Sequence, residues 1–429
     1  MRQPFPRRSM AAGLVMVVII GCCATTGVKA TAPIPETGRA DPRLESFDRL
    51  MRSFLTDNQV PGAALAVTRG GKLVYARGFG WADVEQHQPV QPDSLFRIAS
   101  ISKPLTAVAV LQLAQQHRFQ LDDPAFKLVK LEPLPVPGRQ PDARLRDVTV
   151  LDLLRHRGGW DRDQSFDPMF RSIDIAHAFG TRPPADPKQI IRYMLSQPLQ
   201  FQSGKRFAYS NFGYCVLGRL IEATSGKRYD SYLIDSVLAP LHVNDMRLAR
   251  TLASERAPRE VRYYVRGDPK ATSVFAADRG QDVPVQYGAW CIESMDAHGG
   301  WLASAIDLVR FCSSFDSPGD GALLDAAHAR IMFQRPAGEN PKEPVFYACG
   351  WQVREVGGGR FNAWHTGLLD GTSTIMVRRH DGTDWAVLFN TDRSQDGQVL
   401  SNKIDPLVHA AADAVKSWPT QDLLGSDGR

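Results

Sequence analysis

The sequence predicts an α+β fold, with an antiparallel sheet assembled from both chain ends and a mostly helical middle. Three observations carry this. Near residue 44 a helical apolar period is followed directly by a hairpin pattern, an order that alternating β-α-β architectures do not produce. The middle third carries apolar residues at helical spacing. The last third returns to short strand-like runs separated by turn residues.

The chain has 429 residues, 43% of them apolar and 9% aromatic, enough for one large domain or two to three ordinary ones. Arg2, Arg7 and Arg8 precede an uncharged run from Met10 to Val28, the pattern of a secretory signal over residues 1–30. Two processing sites fit it. Ile19-Ile20-Gly21-Cys22 resembles a lipobox, which would lipidate Cys22 and attach the chain to a membrane; cleavage after Ala30 is the ordinary alternative. Either way the chain is expected to be exported to the periplasm or cell envelope. Discounting the leader's arginines brings the formal charge of +5 close to neutral, and no basic run with interleaved aromatics follows, which argues against nucleic acid.

Residues 31–41 read as a proline-bearing linker, 42–418 as the folded domain and 419–429 as a tail. Leu44, Phe47, Leu50, Met51 and Leu55 mark a helix that stops before Pro61. Two strands then flank the turn Arg69-Gly70-Gly71-Lys72. Short helices are expected at 148–155 and 187–196, with a long polar loop from Gly158 to Pro187 between them. A further helix carries Val216, Leu217, Leu220 and Ile221 and ends at Gly226, and another covers roughly 229–239. A second polar stretch spans about 252–285. After a helix near 305–314, strands are expected at 345–354, 360–365, 372–379 and 384–390, then a closing helix at 399–416. Cys215, Cys291, Cys312 and Cys349 are far apart and lack metal spacing, which predicts single buried thiols. No zinc signature or phosphate loop is present in the sequence.

Chemistry concentrates in FRIASISKPLTAVAVLQLA, residues 96–114. This segment has no polar stripe, so as a helix it belongs inside a core. Pro104 fits a first helical turn, which places Ser100 at the positive helix end and Lys103 one turn later on the same face. Burial there favours a neutral amine, and a neutral lysine is a base for a serine. The plainer reading makes Ser100 a helix cap and Lys103 a solvated residue, and about one such tetrad is expected by accident in a chain of this length.

Two further elements give the tetrad partners. Tyr209-Ser210-Asn211 stands on a loop before a helix, where Ser210 or Asn211 could equally serve as a cap. His365-Thr366-Gly367 follows a strand and precedes Leu368. In this order the three motifs resemble the serine β-lactamase and penicillin-binding-protein superfamily, in particular its class C β-lactamase and esterase branch. LLRHRGGW, LDDP at 121–124, LAPLHVNDM at 238–246 and GGWLASAIDLVRF at 299–311 extend the resemblance over roughly residues 42–415.

The resemblance implies a β-lactamase/transpeptidase-like fold and acyl transfer on a small ester, amide or peptide. Ser100 would be the nucleophile, with Lys103 and Tyr209 as general base and acid. Asn211, His365, Thr366 and Gly367 would contact substrate, and the backbone N–H groups of Ser100 and of Leu368, the residue after Gly367, would form the oxyanion hole. No metal or organic cofactor is implied. The lactamases and D,D-peptidases of this superfamily usually carry lysine where this chain has His365. A largely neutral histidine puts efficient β-lactam hydrolysis in doubt and resembles the family's esterases and D-amino-acid peptidases. Three readings therefore remain: an esterase or amidase, a genuine β-lactamase or D,D-peptidase, and a non-catalytic lipoprotein of the same fold. Both long polar stretches, 158–187 and 252–285, are expected to line or cover the cleft.

Overall fold

The structure, a computed structural model, describes residues 34–424 except 139, 276–279 and 317–321. The expected leader with Cys22, and residues 425–429 of the expected tail, lie outside the described residues.

The fold is the expected α+β arrangement. A long antiparallel sheet runs in the order Glu36–Thr37, Lys72–Asp83, Gly62–Arg69, Thr383–Phe389, Thr372–Arg378, Arg360–Leu369, Gln352–Gly357, Val345–Tyr347. N-terminal and C-terminal strands meet at its centre, where Leu65 stands opposite Val387. Both sheet faces are buried, which explains why the strand reading GAALAV has no polar alternation. On one face Ala63, Leu65 and Val67 pack with Phe47 and Met51 of the helix Glu45–Asn58 and with Ile404 and Val408 of the helix Leu400–Asp413. On the other, Ala64 and Ala66 join the larger core containing Leu308 and Val309 of the helix Ala305–Ser313 and the helical middle.

The helix Ser102–Gln115 is the axis of that middle, and every residue from Ser102 to Ala114 is buried. It packs against Asn211–Ser225, which ends at Gly226 with φ of +74°, a conformation that favours glycine.

Several local expectations change. The predicted loop 158–187 contains the helix Ser172–Ala178, whose buried Ile175 and Ala176 are too short a pattern to stand out in sequence. The predicted strand 345–354 is two antiparallel strands, Val345–Tyr347 and Gln352–Gly357, reversed through Gly350 at φ +81°. A Cβ on Gly350 would lie 3.1 Å from the Lys103 carbonyl oxygen, so this turn is pressed onto the helix Ser102–Gln115. The helix after Gly226 starts as Tyr229–Leu233 and continues as a π-helical turn, Ile234–Leu238. The expected linker contributes an edge strand, with Glu36 opposite Phe79 and ion-paired to Arg52 and Arg77. In the expected tail, the Leu423 N–H donates to the Leu73 carbonyl at 2.8 Å. All four described cysteines are buried free thiols.

Candidate active site

Ser100 occupies a short 3-10 turn, Ala99–Ile101, that leads straight into the helix Ser102–Gln115. Ala99 holds φ of +47°, a left-handed conformation uncommon for a residue with a side chain. The turn is clamped from three sides. The Ile98 N–H donates to the Trp301 carbonyl at 3.0 Å, the Thr374 hydroxyl donates to the Ile98 carbonyl at 3.0 Å, and the Ser102 hydroxyl donates to the Ala99 carbonyl at 2.8 Å.

Lys103 Nζ is fully buried and has three neighbours in hydrogen-bond range: Ser100 Oγ at 3.0 Å, Asn211 Oδ1 at 2.9 Å and the His298 carbonyl at 3.0 Å. Burial drives its pKa well below that of an ordinary lysine, and the nearby Arg162 charge adds to this while the Asp167 carboxylate opposes it. The Asn211 amide is oriented by its other end, where Nδ2 donates to Asp167 Oδ2 at 2.7 Å.

Tyr209 lies with its ring 4.8 Å from Lys103 Nζ and 4.9 Å from the Arg162 guanidinium carbon. Burial raises its phenol pKa, and the neighbouring Ser100 hydroxyl and the Arg162 charge draw it partly back. Behind Tyr209 stands a buried aromatic group. The His156 ring is 4.3 Å from that of Tyr209 and 4.5 Å from that of Tyr347, and its Nδ1 accepts the Ser210 N–H at 3.1 Å. Ser210 itself caps the helix by accepting the Gly213 N–H at 3.2 Å, so the capping reading of the Tyr-x-Asn motif also holds.

His365, Thr366 and Gly367 sit inside the strand Arg360–Leu369 rather than after it. Pairing with the strand Gln352–Gly357 begins at Trp364, while pairing with Thr372–Arg378 continues to Leu369. From His365 onward the strand therefore has one open edge, and Leu368 shows 39% exposure there. Gly367 has no room for a side chain: a Cβ would lie 2.2 Å from the Ile98 carbonyl oxygen and 3.1 Å from Ala99 Cβ. That close approach holds the strand against the Ser100 turn. The His365 ring is buried, and both nitrogens are engaged: Nδ1 donates to the Thr366 carbonyl at 2.7 Å, and Nε2 accepts the Tyr347 hydroxyl at 3.0 Å. Desolvation, with the Lys103 charge second, lowers its pKa to about 3, so it is neutral across the physiological range.

These residues surround a cavity of about 320 Å³ lined by Ser100, Tyr209, Asn211, His365, Thr366 and Leu368, among others. The three sequence motifs are thus brought together. Arg162, Phe170 and Gln352 also line it, and sequence reasoning did not single them out. The stretch 158–187 reaches the cavity through Arg162 and Phe170. The stretch 252–285 supplies none of its described lining; it packs beneath the Ser100 turn, where Tyr263 accepts the Arg97 N–H at 2.7 Å and Glu260 lies 3.7 Å from the Arg97 guanidinium. Among the described residues no cluster of potential metal ligands occurs.

A family model described as Beta-lactamase matches residues 47–407. Penicillin-binding protein 4* of Bacillus subtilis (strain 168) is 25% identical over 327 residues, covering 76% of this chain and 66% of that protein. Protein flp of Staphylococcus aureus (strain N315) is 27% identical over 207 residues, 48% of this chain and 39% of flp, so the match spans about two fifths of that relative. Among solved structures, the D-amino acid amidase from Ochrobactrum anthropi SV3 superposes with a TM-score of 0.66 at 22% identity, covering 88% of this chain and 99% of the amidase. The octameric penicillin-binding protein homologue from Pyrococcus abyssi gives 0.64 at 24% identity, covering 89% and 79%. With the family model spanning most of the described fold, the chain belongs to the Beta-lactamase family.

Proposed function

We propose that this chain hydrolyses a small ester or amide through an acyl-enzyme on Ser100, with Lys103 as general base and Tyr209 as proton carrier. The observation that carries this is the set of partners around Lys103 Nζ. A neutral amine has two N–H donors and one lone pair. Asn211 Oδ1 and the His298 carbonyl can only accept, so they take both donors, and the lone pair is left facing the Ser100 hydroxyl.

In the first step the Ser100 proton passes to Lys103 Nζ as Oγ bonds to the substrate carbonyl carbon. The resulting oxyanion is held by the Ser100 and Leu368 backbone N–H groups, the second on the open strand edge. Tyr209, whose raised pKa keeps it protonated, gives its proton to the leaving group and is reprotonated from Lys103. The bond to the leaving group breaks, and water then cleaves the ester on Ser100 by the same steps in reverse. Asn211, locked by Asp167, would steady the substrate's acyl or amide oxygen.

The neutrality of His365 favours esters or amides over β-lactams, whose carboxylate would find no cation on the strand wall. The fold shared with a D-amino acid amidase supports an amide. We further read residues 1–30 as an export signal, with Cys22 as the alternative lipid attachment point. Treatment with a fluorophosphonate probe followed by intact mass is expected to show one adduct that Ser100→Ala abolishes. Turnover of p-nitrophenyl acetate should exceed that of nitrocefin. Absence of any adduct would refute the hydrolase reading, and preferential nitrocefin turnover would replace it with a β-lactamase.

A further inference from the structure

We propose that Arg162 binds an anionic substituent of the substrate, a carboxylate in the simplest case, so that the enzyme prefers anionic esters or amides to neutral ones. This rests on the hydrolase reading of Ser100 and adds the substrate class to it.

Three observations converge on this residue. First, Arg162 is the only permanently charged side chain among the described residues lining the cavity, and it shares that lining with Ser100 and Asn211. His365 and His298 also line it, but burial keeps both neutral. Second, the guanidinium is held in place without being satisfied. Its carbon lies 4.9 Å from the Tyr209 ring centroid, Nη1 is 3.6 Å from Asp167 Oδ2, and Nε is 3.9 Å from Asp163 Oδ1. These are ion-pair and ring contacts at longer than hydrogen-bond distance. Asp167 has already committed its oxygens, Oδ2 to Asn211 Nδ2 at 2.7 Å and Oδ1 to the Met169 N–H at 3.1 Å. Asp163 is 91% exposed and competes weakly through water. Among the described residues, none accepts a hydrogen bond from Arg162. Third, the Arg162 side chain remains 40% accessible.

A planar fork of donors, oriented by a ring and a carboxylate behind it and unspent in front, matches a carboxylate bidentately. Preorganisation reduces the rotamer entropy lost on binding. The arrangement also moves anion recognition to the helical wall, opposite the neutral His365.

The test compares matched ester pairs that differ by a carboxylate on either side of the scissile bond. Phenyl acetate is paired with 3-acetoxybenzoate, and p-nitrophenyl butyrate with mono-p-nitrophenyl glutarate. In the wild type, kcat/KM is expected to favour the anion in at least one pair, mainly through KM, and the preference should shrink with added salt. Arg162→Gln should lower that anionic-to-neutral ratio at least tenfold, and Arg162→Lys should restore part of it. Equal rates within both pairs, or a preference that survives Arg162→Gln, would overturn the proposal. If Arg162→Gln does not fold, competitive inhibition of the wild type decides: benzoate should inhibit more strongly than benzamide, and equal inhibition would overturn it. Fluorophosphonate labelling separates the two readings. No adduct in the wild type defeats the hydrolase; an adduct without anion preference defeats only the role of Arg162.

Discussion

On the helical wall of the cavity, polar groups are linked in series: Lys103 to Asn211, Asn211 to Asp167, and Asp167 to Arg162, which covers the Tyr209 ring. On the strand wall, His365 is bonded to its own backbone neighbour and to Tyr347, and Gly367 is wedged against the Ser100 turn. One wall carries the titratable and charged side chains. The other is neutral and closely packed. The contrast sets different expectations for the two walls: changes on the helical wall are expected to act through protonation state, and changes on the strand wall through packing and neutrality.

The sharpest way to break this contrast is Lys103→Met, which keeps the buried volume and removes the base. Loss of kcat/KM of about 10³-fold is expected on p-nitrophenyl acetate, in the range of a positioned general base. A loss below tenfold would mean that Lys103 is structural.

The strand wall is expected to show itself in stability instead. In the folded chain His365 stays neutral down to about pH 3, whereas an unfolded histidine takes a proton near 6.5. The stability it confers is therefore complete above 6.5 and is lost as pH falls toward 3, on the order of 3 kcal/mol by pH 4. His365→Gln should flatten the acid limb of a Tm-against-pH profile by this share. A residual slope will remain, because His156 and His298 are also depressed by burial. An unchanged profile would show that His365 titrates normally.

Next in size is Gly367→Ala. Its Cβ meets the backbone oxygen of Ile98, which cannot move without shifting the Ser100 turn, so a cost of about 1–3 kcal/mol is expected in denaturant midpoints, together with lower kcat. A fully stable, fully active variant would show that the turn gives freely.

The smallest effect is that of Asp167→Asn. The carboxylate raises the Lys103 pKa, so its removal should lower that pKa further and move the acid limb of the kcat/KM profile to lower pH, with roughly tenfold lower kcat from the weakened Asn211 clamp. A limb that moves to higher pH would contradict the electrostatic coupling.

Much of this was legible in the chain. The S-x-x-K, Y-x-N and H-x-G motifs, their order and the apolar helix around Pro104 were all visible, because local spacing and helix-start chemistry are properties of contiguous residues. The two polar stretches were not distinguishable. Both lack periodicity, yet 158–187 supplies Arg162 and Phe170 to the cavity while 252–285 braces Arg97 beneath it. Arg162 sits in an arginine- and aspartate-rich loop, a composition that ordinarily reads as solvated surface. The reversal at Gly350 was hidden for a similar reason: its cause is the nearby Lys103 backbone, more than two hundred residues away in sequence.

By itself the sequence determined the sheet built from both termini, the buried helix behind Ser100 and the three ordered motifs on which the proposed acyl transfer rests. Only the tertiary structure decided the protonation states and the charge of each wall. Those depend on burial and on partners contributed by distant segments: the His298 carbonyl and Asn211 amide around Lys103, Tyr347 against His365, and Arg162 over Tyr209. A pKa is set by desolvation and neighbouring charge, and neither is a property of a residue's place in the chain.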